Sequence, residues 1–187
     1  MRASAIALTV VMLGARALSA DQAVNDARLT AFVRATMAYA ELHRAVVRDL
    51  PPLEVTSDPD KMVAATEARR AALRRARAEA KQGDIITAEA SPVLRERIRT
   101  ALRTVGMTCA ELMRLMADDS RGYRRAEVNG TFSWTTAAGM PGCILATLPP
   151  LPEMLQYRFV GPDLVLVDVE ASLIADVLRD ALVDNVN

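Results

Sequence analysis

Few side chains in this sequence are of types that do chemistry, and their spacing limits what each could do. His43 is the only histidine among 187 residues. That excludes any metal site needing two or more imidazoles, and two cysteines cannot build a four-thiolate zinc site. Helical spacing puts Tyr39 and Val47 beside His43 on an apolar stripe, while Glu41 points to another face. A general base needs a carboxylate to orient it and a proton within reach. Neither is found nearby along the chain, so His43 is expected to be a core histidine with a satisfied hydrogen bond. Nothing resembles G-x-S-x-G, H-E-x-x-H or a phosphate-binding loop. No catalytic residue, metal or cofactor is assigned.

The stretch 119–142 is rich in interface chemistry. Tyr123, Phe132 and Trp134 are three of the chain's seven aromatic residues, and Arg121, Arg124 and Arg125 lie among them. Aromatic rings and guanidinium groups anchor protein interfaces, so Tyr123, Arg124, Arg125, Phe132 and Trp134 are the candidate partner-binding residues. A basic helix face formed by Arg70, Arg74, Arg77 and Lys81 is the second candidate. Residues 61–103 carry 11 basic against 5 acidic side chains, whereas residues 148–187 carry 2 against 7. Charge complementarity inside the molecule is the expected use of that contrast. Cys109 and Cys143 are a candidate disulfide if the chain folds in an oxidising compartment. Asp84, just after Gly83, is expected to cap a helix end.

These residues need elements to position them. Leu29, Phe32, Thr36, Tyr39, His43, Val46 and Leu50 recur at steps of three and four, which predicts a helix over 24–50 ended by Pro51-Pro52. Ser57-Asp58-Pro59 restarts a helix running to about Gln82, with a thin, alanine-rich apolar face. A third helix follows Thr87, with Val93, Leu94, Ile98, Ala101, Leu102 and Val105 facing inward. Thr108-Cys109-Ala110-Glu111 is a capping box for a short fourth helix with Leu112, Leu115 and Met116 inside. From Gln156 the period changes to two. A hairpin is predicted with Gly161-Pro162-Asp163 as its loop, pairing Val160 with Leu164 and Tyr157 with Val167. Asp168 then caps a last helix through Leu173, Ile174, Val177, Leu178 and Leu182. The expected fold is mainly α: a bundle of three long and one or two short helices, closed by a β-hairpin and a helix.

The first twenty residues do not fit that body. Met1-Arg2, the uncharged run from Ala3 to Ala15 and small residues before Asp21 describe a signal peptide over 1–20. Residues 21–187 then form a single domain, exported to the periplasm or secreted. Cleavage would remove Arg2 and Arg16 from the 23 basic residues, leaving 21 against 23 acidic ones and a mature charge of −2. No strongly basic footprint for nucleic acid exists. No later segment approaches the length of a membrane span, so no stable insertion is expected after cleavage.

Two blocks carry a family resemblance. ARAEAKQGDIIT at 76–87 and LPPLPEMLQYRFVGPDLVLVDVEASLIAD at 148–176 resemble an uncharacterised family of small exported bacterial proteins. That family has "ARQGDIF"-like and "LPPLPEELEYRFVGRDLILRDVxANLIVDYI"-like segments. Ile86, Pro162 and Ser172 depart from the pattern, standing where it has phenylalanine, arginine and asparagine. The resemblance implies export and a bacterial source, and transfers no catalytic residue. The expected function is a non-enzymatic exported interaction module whose partner is another exported protein. The alternative is an enzyme or small-ligand binder with a pocket between the hairpin and the first helix, using His43, Tyr39 and Arg158.

Overall fold

The computed structural model describes residues 27–53, 57–117, 124–135 and 139–183. The signal-peptide segment and Tyr123 lie outside the described residues. After a 3-10 turn (Ala27–Leu29), helix α1 spans Thr30–Val47 and α2 spans Pro59–Ala76. Helix α3 covers Ala90–Thr104, α4 Cys109–Met116 and the short α5 Gly142–Leu145. Strands β1 (Leu155–Val160), β2 (Asp163–Asp168) and β3 (Leu173–Leu178) form one antiparallel sheet in the order β1-β2-β3.

Local chemistry accounts for most of these boundaries. Asp58 caps α2 by accepting from the N–H groups of Asp60 and Lys61, with Pro59 at the first helical position. The capping box at Thr108 and Glu111 is present in both directions. Gly83, with φ +93°, takes the left-handed conformation of the connector between α2 and α3. Helix α2 ends at Ala76, earlier than its alanine ladder suggested. It leans on α1 and buries Leu73 and Arg69.

The C-terminal segment overturns the mainly α reading. Residues 173–178 form a strand, not a helix, and the chain is an α+β fold with helices on one face of a three-stranded meander. All six residues of β3 are buried. A strand covered on both faces shows no apolar–polar alternation, so its run of apolar residues also matched a helical stripe. A bulge opposite Leu166 and Val167 disturbs the period further.

The hairpin register also differs. Gly161-Pro162 is a two-residue loop that pairs Val160 with Asp163 and Tyr157 with Leu166. Gly161 has φ +58°, and a first central glycine followed by proline suits a type II′ turn. The one-residue shift moves each β2 side chain to the opposite face. Leu164 and Leu166 therefore join Tyr157 and Phe159 against the helices, whereas Val165 and Val167 turn away from them.

Among the described residues two large apolar layers result, beside a small cluster of Leu73, Ala171 and Leu173. The larger joins Phe32 and Tyr39 of α1, Leu94, Ile98 and Leu102 of α3, Leu112 of α4 and Ile144 of α5 to the inner face of the sheet. The smaller holds Val160, Val165, Val167, Ile174 and Val177 beneath Ala126 and Phe132 of the 124–135 segment. Val105 and Leu115, assigned inward above, are exposed.

Candidate interaction surface and buried polar clusters

The 124–135 segment is held against the body by backbone pairing. Asn129 N–H donates to Ile174 C=O, Ile174 N–H to Gly130 C=O, and Phe132 N–H to Ser172 C=O, at 2.8–2.9 Å. These bonds cover the start of the outer edge of β3, at residues 172–174. The basic face of α2 fixes the same segment. Arg74 Nε donates to Asn129 C=O at 2.7 Å, and its Nη2 to Thr131 Oγ1 at 2.8 Å. Arg77 is buried, with Nη1 on Asn129 Oδ1, Nη2 on Ala175 C=O and its guanidinium 4.9 Å from the Tyr39 ring centre. Arg70 pairs with Glu67 one turn away at 3.7 Å, and Lys81 is exposed. The basic helix thus serves the interior through carbonyl oxygens more than through carboxylates of the acidic C-terminal part.

Of the candidate partner-binding residues, Trp134 is the most prominent. It is 46 % exposed yet held in place from three sides. Its indole N–H donates to Ser172 Oγ at 3.0 Å, its ring meets the buried Phe132 edge-on at 4.8 Å, and the Arg158 guanidinium lies 5.6 Å from its centre. Arg124 and Arg125 are exposed and line, with Phe132, Ser133 and Glu127, a cavity of about 550 Å³. Among the described residues neither has a carboxylate partner.

His43 lies in a different place. It is 2 % exposed, with Nδ1 2.6 Å from Asp168 Oδ2 and Nε2 3.2 Å from Glu170 Oε2. Tyr39 O–H donates to the same Asp168 oxygen at 2.8 Å, and Ala171 N–H donates to the other oxygen. With a carboxylate at each ring nitrogen, the imidazolium is the form that satisfies both. Burial pushes the His43 pKa down, but the hydrogen bond and charge of Asp168, followed by Glu170, outweigh it and hold it above the ordinary value. Burial, and then Asp168, push the Tyr39 hydroxyl up. Arg69 Nε lies 3.8 Å from Glu170, and its Nη2 donates to Pro51 C=O at 2.7 Å. This is an ion cluster that ties α1 and α2 to the β2–β3 turn. Spacing found Tyr39 and His43 together, but the carboxylates lie over a hundred residues away in sequence.

Arg158 does not join His43. Its cross-strand partner Val165 faces the outer layer, away from the helices that carry His43. His43 lines neither the cavity of Arg124 and Arg125 nor the groove along residues 155–158. Among the described residues no group of three or more His, Cys, Asp or Glu side chains could hold a metal ion. No disulfide joins Cys109 to Cys143. Both are thiols, the first buried in the main core and the second half-buried against it.

A second carboxylate escaped the sequence reading. Asp176 is fully buried, and the β3 bulge lets Ala175 and Asp176 both face the helices. Its oxygens accept from Gly83, Ile85, Ile86 and Val177 N–H groups at 2.7–3.0 Å. Burial raises its pKa, and those four N–H groups act against it. The QGDII connector and the C-terminal block therefore meet at one carboxylate. Asp84 accepts from Lys81 N–H at 2.9 Å inside the connector, after α2 has ended at Ala76, so it closes a turn there instead of capping a helix end.

No helix among the described residues is long and apolar enough to cross a membrane. Comparison with protein-family models, curated proteins and solved structures finds no match to this chain.

Proposed function

We propose that this chain is an exported, non-enzymatic interaction module that captures a partner protein through the surface around Trp134. The carrying observation is a large apolar ring left in solvent yet immobilised by Ser172, Phe132 and Arg158. A pre-positioned indole loses little side-chain freedom on binding, and tryptophan and arginine dominate interface hot spots. The exposed Arg124 and Arg125, which line a cavity that Phe132 also lines, suit an acidic rim on the partner. The 1–20 segment and the two resemblance blocks support export and a bacterial source. The ion cluster at His43 supports no competing catalytic reading, because the imidazole is buried and held by a carboxylate at each ring nitrogen.

The test is capture from the exported protein fraction on the immobilised chain, with intact-mass measurement of the chain recovered from that fraction. A mass matching cleavage near residue 20 is expected. Trp134→Ala and Arg124→Glu each abolish a capture that the unaltered chain shows, with unchanged thermal unfolding. Equal capture by both variants overturns the proposed surface.

A further inference from the structure

Two donors stand against one oxygen of Glu170. His43 Nε2 is 3.2 Å from Oε2, and Arg69 Nε is 3.8 Å from the same atom. The first is a hydrogen bond and the second is too long to be one. Arg69 Nε is buried and, among the described residues, has no hydrogen-bond partner. A buried N–H without an acceptor is costly, so an unused donor of this kind calls for an explanation. The rest of that guanidinium is fixed. Its Nη1 donates to Ala65 C=O at 3.2 Å and its Nη2 to Pro51 C=O at 2.7 Å. Arg69 is 4 % exposed, whereas the Glu170 side chain is 40 % exposed and belongs to the β2–β3 turn. Glu170 is therefore the partner with freedom to move.

The protonation of His43 decides which donor holds it. While both ring nitrogens carry protons, Nδ1–H donates to Asp168 and Nε2–H to Glu170. Once one proton leaves, the two carboxylates compete for the other. Asp168 is fully buried and 2.6 Å from Nδ1. Without that donor its Oδ2 would keep only the Tyr39 hydroxyl, whereas Glu170 can turn to water. The remaining proton therefore stays on Nδ1. Nε2 then presents a lone pair to a carboxylate, and the two repel. The titratable and charged groups gathered around the ring come from three places. Tyr39 lies on its own helix, Asp168 and Glu170 lie at the end of β2 and in the turn after it, and Arg69 and Arg77 lie on α2, Arg77 against the Tyr39 ring. Burial disfavours the charged ring, and the two carboxylates outweigh it.

We propose that Glu170 is a proton-controlled switch between two helices: it bonds to His43 of α1 while the imidazole is charged and passes to Arg69 Nε of α2 when the ring becomes neutral. Oε2 has to close only from 3.8 Å to about 2.9 Å. The move removes the repulsion at Nε2 and satisfies the unused N–H in one step. The β2–β3 turn thus stays fastened to the helical layer throughout, with its tether exchanged from α1 to α2. The same turn carries Ser172, whose Oγ accepts from the Trp134 indole N–H, so the support of the exposed indole is kept on both sides of the transition. The proposal goes beyond the reading of the chain as an interaction module and does not depend on it.

The test is a pH titration of the nitrogen-labelled full chain by NMR, following the two ring nitrogens of His43 and the Nε–H group of Arg69. The neutral ring is expected to carry its proton on Nδ1. The Arg69 Nε–H proton is expected to move downfield as the ring deprotonates, with the same midpoint. Glu170→Gln separates the switch from the simple loss of ring charge. Its side-chain amide accepts from the charged ring and donates to the neutral one, so it stays on His43 at every pH. In that variant the ring titrates at lower pH and the Arg69 Nε–H signal stays flat. Four results overturn the proposal: a neutral ring with its proton on Nε2, an Arg69 Nε–H signal that does not move downfield with the ring, the same downfield shift retained in Glu170→Gln, or a ring that keeps both protons until the chain unfolds.

Discussion

His43 bridges two carboxylates, and its protonation is linked to folding. Its pKa is raised in the folded state, so its stabilisation is complete below the unfolded value of 6.5 and is lost as pH rises through the folded value. His43→Ala is expected to cost about 3 kcal/mol at about pH 6, because it leaves Asp168 and Glu170 without their cation. That cost should shrink toward about pH 9. Urea unfolding of both chains across this range checks it, and a cost independent of pH would show that the ring is neutral when folded. The apolar stripe placed His43 in the core correctly. It could not reveal Asp168, because carboxylates 125 and 127 residues away arrive only through folding. Trp134 stood out in the sequence by residue type alone, and its anchoring by Ser172 and Arg158 did not.

At the scale of elements, the α2–α3 connector and the β3 bulge hold each other. Asp176→Ala leaves the N–H groups of Gly83, Ile85 and Ile86 buried and unpaired, and is expected to cost at least about 3 kcal/mol. Asp176→Asn keeps an acceptor and costs less. Urea midpoints of the two variants test the order. The basic face of α2 makes a second prediction. Arg77→Met removes the donors to Asn129 and Ala175, so the 129–132 segment should loosen from β3. Faster amide exchange at Phe132 and Ile174, with the α3 amides unchanged, is the expected signature. Both interactions were invisible in the sequence for one reason: they join a side chain to backbone groups of a distant loop. The starts of α2 and α4 were legible because caps and prolines act within one turn. The helix assigned to 173–182 failed because a strand buried on both faces lacks the alternation that identifies strands.

The whole molecule stacks helices, sheet and an outer segment, with β2 central to both apolar layers. A chain ended after Asp168 would expose both faces and one edge of β2 along with the apolar partners of β3. It is expected to lose its fixed structure, seen as collapsed amide dispersion in NMR and loss of near-ultraviolet dichroism. A terminal helix lying on a finished hairpin would not carry that penalty, so a well-folded truncated chain would argue against the meander. By itself the sequence determined the caps, the main helices, the hairpin, the burial of His43 and the chemical character of the 124–134 surface, since each depends on neighbours a few residues apart. The tertiary structure decided that residues 173–178 are a strand, which face β2 presents, and which carboxylates His43 and the 83–86 connector receive. Those depend on a bulge, a one-residue register and contacts between segments about a hundred residues apart, where local periodicity carries no information.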